Sequence, residues 1–360
     1  MMPEVAVAIS GGVDSLVAAA KLKQKLGRVI GLHFVHGYEP EPVLSGIAPI
    51  QAGIFNPPDA HPLHAISRAL DIPIFLVDCR EIFQKTVVDY FIKAYPSGVT
   101  PNPCLICNAR IKFGILYETA RRMGASLFAT GHYARLVQKK NQGVCIAKGL
   151  DAAKDQSYFL GFLPARILPH VDFPLGEMTK DQVLAYAKTR GLSPIQTKES
   201  QDVCFIPDND YAGFIGAHLE TPPTPGPITD RRGKWLGTHD GLHRFTIGQR
   251  RGIGCPAPAP YYVLGLDIKE NRLIVGSKEE LYAAVMTIRQ INWFIPCPPA
   301  PMEVSIKIRY RHRPVAATLI PQPDDTAMVR FHSPQPAVTP GQGAVCYVDD
   351  AVIAGGIIHG

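Results

Sequence analysis

The pattern of apolar and polar positions predicts an alternating α/β architecture for the first 135 residues. Short apolar runs of strand length alternate there with longer stretches of helical period. The predicted strands are residues 5–9, 28–35, 73–79 and 125–134, and the predicted helices are residues 14–27, 60–72 and 82–95. Such alternation is typical of a doubly wound parallel sheet, which binds ligands at the carboxyl ends of its strands.

The pattern changes after about residue 207, where short β-like runs replace the helices. A proline-rich joint at 221–227 precedes runs at 234–239, 241–247, 261–268 and 272–276. Longer alternating runs follow at 302–320, 326–332 and 343–358, and favour a C-terminal β-barrel entered near Met286. We therefore expect a catalytic α/β domain at 1–206, a small β-rich domain at 207–284 and a β-barrel at 285–360.

Composition restricts the possible classes of protein. The chain has 360 residues, of which 46% are hydrophobic and 19% charged, as expected for a globular protein with sizeable cores. No apolar run approaches the roughly 20 residues that span a bilayer, and "MMPE" lacks a basic signal region, so a cytoplasmic location and no membrane association are expected. Eight cysteines are too sparse for a disulfide framework, and a net charge of +6 favours a polyanionic partner only slightly.

The segment "SGGVDS" (10–15) follows the first predicted strand and opens the first predicted helix. Glycines permit a tight turn there, and consecutive N–H groups at a helix N-terminus provide a site for phosphate. The segment has neither the lysine of a P-loop nor the spacing of a dinucleotide fingerprint. It resembles instead the PP-loop of ATP pyrophosphatases.

Two cysteines stand three residues apart in "NPCLICN" (102–108), and a third cysteine lies in "KESQDVCFIP" (198–207). A zinc site is disfavoured because no second cysteine or histidine pair accompanies them. A thioredoxin-like pair is disfavoured because "TPNP", and not a strand, precedes them. The remaining cysteines are expected mostly to be buried apolar residues.

Seven motifs in order along the chain resemble those of the tRNA-specific 2-thiouridylases of the MnmA/TrmU type. They are "SGGVDS", "TPNPCLICNARIKFG", "ATGHYAR", "KDQSYFL", "ESQDVCFI", "FTIGQRRGIG" and the terminal "GQGAVCY…AGGII". The resemblance implies that ATP, with Mg²⁺, adenylates C2 of the wobble uridine of tRNA with release of pyrophosphate. A persulfide sulfur, supplied by a cysteine desulfurase or a sulfur-relay protein, then displaces AMP.

The resemblance also assigns roles to individual residues. Cys204 would carry the persulfide, and Cys107 would attack it and end in a disulfide with Cys204. ATP would be bound by Ala8, Ile9, Ser10, Gly11, Gly12, Val13, Asp14, Ser15, Phe34 and Gly131. The target base would be lined by Asn102, Pro103 and Cys104, and tRNA would be contacted by His132, Lys154, Asp155, Gln156, Arg309, Tyr310 and Gln342.

Cys104 stands where some relatives carry an aspartate proposed as an acid or base, so that role does not transfer. Val99 before "TPNP" and "SQDVCFIP" in place of "STGICFIG" are further departures, which affect loop contacts. Three alternatives stay open: an iron–sulfur thiolase using Cys104, Cys107 and Cys204, a PP-loop amide ligase that needs none of these thiols, and a tRNA-binding module without catalysis.

The segment "KIRYRHR" (307–313) predicts a surface for a phosphate backbone. If it is a strand, Lys307, Arg309, Arg311 and Arg313 project from one face as a comb of four cations. Such spacing, with no interspersed acid, is typical of nucleic-acid contacts. "GQRRG" (248–252) adds two arginines between glycines, which is weaker support.

Overall fold

The computed structural model describes residues 4–39, 53–59, 61–139, 143–195, 203–206, 209–219, 221–256 and 259–359. The chain forms two compact units. The first unit comprises Met1–Val87, Cys104–Phe205 and Asp350–Val352, and the second comprises Val88–Pro103, Ile206–Asp349 and Ile353–Gly360.

The first unit is built on a parallel sheet, as the alternating pattern predicts. Its strands are β1 (Val5–Ala8), β2 (Val29–Val35), β3 (Ile54–Phe55), β4 (Ile74–Asp78), β5 (Leu127–Ala129) and β8 (Val171–Asp172). Within the described residues their order is β3-β4-β2-β1-β5-β8, and only the short β3 runs antiparallel to its neighbour. The carboxyl ends of β2, β1 and β5 are therefore adjacent, which makes this edge the expected ligand site. β6 (Ala134–Lys139) and β7 (Gly143–Lys148) form an antiparallel hairpin.

The helices of the first unit pack through the apolar faces that their periodicity predicts. They are α1 (Val13–Leu26), α2 (Leu63–Leu70), α3 (Arg80–Phe83), α5 (Pro103–Cys107), α6 (Tyr117–Arg122) and α7 (Lys180–Thr189). Helix α1 buries Leu16, Val17 and Leu22 and ends at Gly27, whose left-handed φ of 79° lets its N–H bond back to the last turn. At the start of α7, Thr179 and Gln182 form a reciprocal capping box.

Two helical stretches contain π-helical turns, with hydrogen bonds closing over five residues. Gln84–Val88 continues α3, and Asn108–Leu116 continues α5 for nine residues. The helix predicted over 82–95 is therefore present. Its interior is π-helical, and its last part is α4 (Asp89–Ala94), which belongs to the second unit. π-Helical turns are rare, and those that do occur frequently lie at functional sites.

The second unit holds a small mixed sheet, whose two central strands are parallel, and an antiparallel barrel. A small sheet in the order β10-β9-β12-β11 consists of β9 (Gly226–Thr229), β10 (Trp235–His239), β11 (Tyr262–Asp267) and β12 (Arg272–Gly276). Its strands pack around Ile228, Val263 and Leu273, and α8 (Tyr211–His218) precedes it in the chain.

A closed barrel of six described strands confirms the predicted C-terminal β-barrel. The strands are β13 (Tyr282–Trp293), β14 (Met302–Lys307), β15 (Val315–Gln322), β16 (Thr326–Pro336), β17 (Gly343–Val348) and β18 (Ala351–Ile358). They follow the order β13-β16-β15-β14-β17-β18, and β18 pairs back with β13 to close the ring. Ile306, Leu319 and Val329 are fully buried in its interior.

Three predicted strands differ from the observed structure. The strand predicted over 125–134 stops at Ala129, because the chain turns out of the sheet before β6. Residues 241–247 hold a 3-10 turn, Leu242–Arg244, between Gly241 at φ 142° and Gly248 at φ 88°. The run 302–320 is split by a turn after Lys307. Among the described helices, none is both long and apolar enough to cross a membrane.

Candidate active site

The glycine-rich segment 10–15 forms a tight turn between β1 and α1. Gly11 adopts φ 85°, a left-handed conformation that favours glycine. The Ser15 hydroxyl donates to Gly12 O at 2.8 Å and accepts from the Ser10 amide at 3.2 Å, so it ties both ends of the turn together. The first N–H groups of α1 have no intrahelical acceptor. The turn therefore presents backbone donors to an anion, as expected for a phosphate site.

Asp14 in this turn forms an ion pair that the sequence did not indicate. Lys180 Nζ lies 2.8 Å from Asp14 Oδ1 and 2.9 Å from Oδ2, and the Tyr133 hydroxyl donates to Oδ1 at 2.7 Å. Lys180 is the first residue of α7, and its amide donates to Asp151 Oδ2 at 2.9 Å. The cation is thus held beside the carboxylate, near the expected phosphate site.

Gly131 makes the closest backbone approach to the glycine-rich turn. A Cβ atom at this position would lie 2.9 Å from the carbonyl carbon of Asp14 and from the amide nitrogen of Ser15. Ordinary contacts of a Cβ atom begin at 3.4 Å. Only glycine allows the segment after β5 to pack this closely on the turn.

The end of β2 and the segment that follows it carry an aromatic and acidic cluster. Phe34 is half-buried, with its ring 6.4 Å from that of Phe83. The buried Glu39 carboxylate accepts from the amides of His36 at 2.6 Å and Gly37 at 2.8 Å. Burial, assisted by the charge of Lys112, lowers the pKa of His36 to about 4. The imidazole is therefore neutral at physiological pH.

The three thiols of interest interact electrostatically within the first unit. Cys104 and Cys107 lie one turn apart on α5, where Cys104 is half-buried and Cys107 is 9% exposed. Cys204 interacts with both of them, and the ring of the next residue, Phe205, packs 5.8 Å from Phe83. The structure thus brings together residues that are 97 positions apart (204 minus 107).

The surroundings of these thiols favour the protonated form. Burial raises the pKa of Cys107 to about 11 and raises the pKa of Cys104 and of Cys204, for which the other two thiols add to the effect. The Cys204 side chain nevertheless reaches solvent, although protein surrounds most of its thiol. An incoming reactant can therefore reach Cys204, whereas Cys107 is enclosed.

Lys112 relates the thiols to the sheet edge. Its charge lowers the pKa of all three thiols and of two histidines, His36 after β2 and His132 after β5. Strand β1 lies between β2 and β5, and its carboxyl end carries the glycine-rich turn. The thiols and the turn therefore belong to the same edge of the sheet. Nothing in the sequence singled out Lys112, apart from its place in "NARIKFG".

Several residues predicted to contact tRNA are engaged internally. Asp155 is 7% exposed and accepts from the amides of Gly149 and Ser157, and Gln156 Oε1 accepts from the Tyr133 amide. His132 is 8% exposed, bonds Thr130 at 2.7 Å, and has its pKa lowered by burial. Lys154 is half-buried in the same segment. These contacts shape the loop, and the structure leaves their role toward tRNA a prediction.

The residues predicted to line the target base, and those predicted to contact tRNA from the C-terminal domain, lie in the second unit, except for Cys104. Asn102 is half-buried and Pro103 is buried. Gln342 Nε2 donates to the carbonyls of Thr100 at 2.9 Å and Pro101 at 3.3 Å. Gln342 therefore fixes the backbone immediately before the segment assigned to the target base.

The comb of four cations predicted at 307–313 is wrong. Strand β14 ends at Lys307, which is 8% exposed with Nζ 5.5 Å from the centroid of the Tyr310 ring. The chain then turns, so the side chains no longer alternate. Arg309, Arg311 and Arg313 remain exposed as three cations of this turn.

The donors available for metals are limited. Asp14 offers one carboxylate at the phosphate site, and Mg²⁺ commonly binds through one or two carboxylates together with substrate phosphates, so the site fits this ion if Lys180 shares the carboxylate. Among the described residues, no group of three or more His, Cys, Asp or Glu side chains is arranged to hold a metal ion. All eight cysteines are free thiols in this structure.

Comparison with known proteins agrees with this architecture. Family models match residues 3–208 (tRNA methyl transferase HUP domain), 212–277 (tRNA methyl transferase PRC-barrel domain) and 283–358 (aminomethyltransferase beta-barrel domain). The chain is 51% identical to the tRNA-specific 2-thiouridylase MnmA of Desulfosudis oleivorans, covering 99% of this chain and 95% of the relative. It is 44% identical to the protein of the same name from Geotalea uraniireducens, covering 99% and 94%.

Among solved structures, an NMN synthetase from Francisella tularensis aligns over 53% of this chain and 63% of its own chain, at 16% identity and a TM-score of 0.31. The parallel sheet with a glycine-rich turn after its first strand defines a nucleotide-binding domain of the HUP class, joined to two β domains. The chain belongs to the family of tRNA-specific 2-thiouridylases.

Proposed function

We propose that this protein is a tRNA-uridine 2-sulfurtransferase, which uses ATP to replace the C2 oxygen of the wobble uridine by sulfur. The observation that carries the proposal is the meeting of Cys107 and Cys204 at the sheet edge that holds the glycine-rich turn. An enclosed thiol beside an accessible thiol and a phosphate site suits sulfur delivery to an ATP-activated base. The relatives named above supply the substrate class.

In the first step, the backbone donors of residues 10–15 bind the phosphates of ATP. Phe34 provides an aromatic wall, and Gly131 lets the segment after β5 approach the nucleotide. The C2 oxygen of uridine attacks the α-phosphorus, the bond to the β-phosphate oxygen breaks, and pyrophosphate leaves. Mg²⁺, which Asp14 would help to hold, neutralises phosphate charge when bound. Asn102, Pro103 and Cys104 would line the base.

In the second step, the terminal sulfur of a persulfide on Cys204 attacks C2 and AMP leaves with its C2–O bond electrons. The Cys107 thiolate then attacks Sγ of Cys204, which breaks the Cys204 S–S bond and leaves both bond electrons on the sulfur attached to the base. The products are 2-thiouridine and a Cys107–Cys204 disulfide, which a thiol reductant reopens before the next turnover. The exposure of Cys204 suits loading by an external sulfur donor, a cysteine desulfurase or a relay protein.

We assign residues 1–206 to catalysis and the β domains, 207–284 and 285–360, to substrate binding. Exposed cations in the second unit, Arg309 and Arg311 among them, suit a phosphate backbone. His132, Lys154, Asp155, Gln156, Tyr310 and Gln342 would complete the tRNA surface, the buried ones by shaping loops. Since tRNA is the proposed substrate, we place the protein in the cytoplasm.

The proposal is tested by incubating the full chain with tRNA, ATP, Mg²⁺ and a cysteine desulfurase with its cysteine substrate, and measuring 2-thiouridine by mass spectrometry. Cys107→Ser and Cys204→Ser are each expected to abolish the product. Cys297→Ser, at an exposed cysteine, and Cys145→Ser, at a buried one, serve as matched controls that keep activity. Product formation by Cys204→Ser would refute the persulfide route.

The same assay separates the alternatives. A PP-loop amide ligase would release pyrophosphate with either serine variant at the parental rate, and a binding module would release none. An iron–sulfur thiolase would purify anaerobically with stoichiometric iron and sulfide that activity requires. Each of these results would replace the persulfide mechanism.

A further inference from the structure

We propose that Lys112 is the cation that stabilises the sulfur anions of Cys204 and Cys107 during sulfur transfer. It acts through the thiols and not on the substrate, so it is a positioning residue. The role of this charge in sulfur transfer rests on the function proposed above, whereas its electrostatic effect on the thiols does not. The proposal stands on the geometry of one helix and on the charges around it.

The π-helical segment Asn108–Leu116 aims Lys112 at the thiols. Cys107 ends α5 and immediately precedes this segment, and Lys112 lies five residues further on. In an α-helix, five residues turn the chain about 140° past a full turn, so the two side chains would diverge. In a π-helix, hydrogen bonds close over five residues, which brings positions i and i+5 to the same side.

The first residue of the segment, next to Cys107, is anchored by burial. Asn108 is 4% exposed, and its Nδ2 donates to Phe159 O at 3.3 Å. Phe113, next to Lys112, is 2% exposed and packs against Phe128 and Phe173. These contacts hold the part of the π-helical segment that carries the half-buried Lys112.

Among the described residues, Lys112 is the cation that opposes desolvation at these thiols. In the part of the chain that the structure describes, the other charged and titratable groups around these thiols and Lys112 are His36 and Glu39 after β2, Cys79 after β4, His132 after β5, and Cys104 on α5. Both histidines have their pKa lowered and stay neutral, and Glu39 and the other thiols disfavour a thiolate. No ion pair within the described residues occupies Lys112. Its charge is therefore available to a thiolate or persulfide anion.

The test measures thiol ionisation directly, without ATP or tRNA. The full-length parent and the Lys112→Gln, Lys112→Arg and Lys21→Gln variants are alkylated with iodoacetamide from neutral to alkaline pH, and each cysteine is quantified by peptide mass spectrometry. Lys21 is a half-buried lysine of α1 that matches the lost charge. Cys297, exposed in the second unit, is the internal reference.

In Lys112→Gln, alkylation of Cys204 relative to Cys297 is expected to fall between roughly twofold and thirtyfold near neutral pH, with the profile moved to higher pH. Lys112→Arg and Lys21→Gln should match the parent. An unchanged Cys204 profile in Lys112→Gln would overturn the proposal, as would a glutamine-like profile in Lys112→Arg. Faster alkylation of Cys107 and Cys204 would also overturn it, since it would show that Lys112 only holds the fold. Because no sulfur is transferred, these outcomes are independent of whether the serine variants lose activity.

Discussion

Replacing Gly131 with alanine tests whether the segment after β5 must carry glycine in order to pack closely on the phosphate turn. The added Cβ would lie 2.9 Å from two backbone atoms and 3.0 Å from the Asp14 carbonyl oxygen, against an ordinary limit of 3.4 Å. The turn or the segment after β5 must therefore move by about 0.5 Å (3.4 minus 2.9). All three neighbouring atoms belong to the backbone, so the clash cannot be relieved by the rotation of a flexible side chain. Overpacking of this kind costs about 1 to 3 kcal/mol.

We expect Gly131→Ala to lower the free energy of unfolding by that amount and to weaken binding of a non-cleavable ATP analogue by about tenfold, since small displacements of a binding geometry have large effects. Urea unfolding and titration calorimetry measure the two quantities. Gly265→Ala is the matched control, because its nearest neighbour would lie 3.9 Å from the new Cβ. Parental ATP-analogue affinity and stability in Gly131→Ala would refute the reasoning.

Three further predictions follow from the site and the second unit. Lys180→Met should lower the free energy of unfolding by about 1 to 3 kcal/mol, because it leaves the phosphate-turn carboxylate without its cation; an unchanged urea midpoint would count against this. The pKa of His36 falls from 6.5 unfolded to about 4 folded, so stability is complete above pH 6.5 and declines as the pH falls from 6.5 toward 4; His36→Gln should flatten urea-derived stability across that window, and an unaltered slope would contradict it. Replacing Arg309 and Arg311 together with alanine should weaken tRNA binding and reduce the logarithmic salt slope by about two, whereas the exposed Arg330→Ala should not; identical slopes would remove this turn from the tRNA surface.

Local patterns in the sequence determined the class of fold because each depends on neighbours a few residues apart. The apolar runs at 5–9, 28–35 and 73–79 predicted β1, β2 and β4 to within a residue or two at each end, and the helices between them predicted that the sheet is parallel. The segment 10–15 likewise predicted a turn between the first strand and the first helix. The residues at 241–247 and 307–313 have strand-like composition but form turns, since the positive φ values at Gly241 and Gly248 and the end of β14 at Lys307 override propensity there.

The chemistry of the site depended on contacts that no local pattern encodes. Lys180 meets Asp14 across 166 residues, and Cys204 meets Cys107 across 97 (204 minus 107). Family resemblance could nominate the two cysteines, but it gave no indication of Lys112, which needs a π-helical turn to face them. The sequence by itself therefore determined the strands, the phosphate turn and the pair of thiols to consider. Only the tertiary structure decided which charges surround those thiols, because electrostatic energy follows distance in space and burial, and neither is fixed by spacing along the chain.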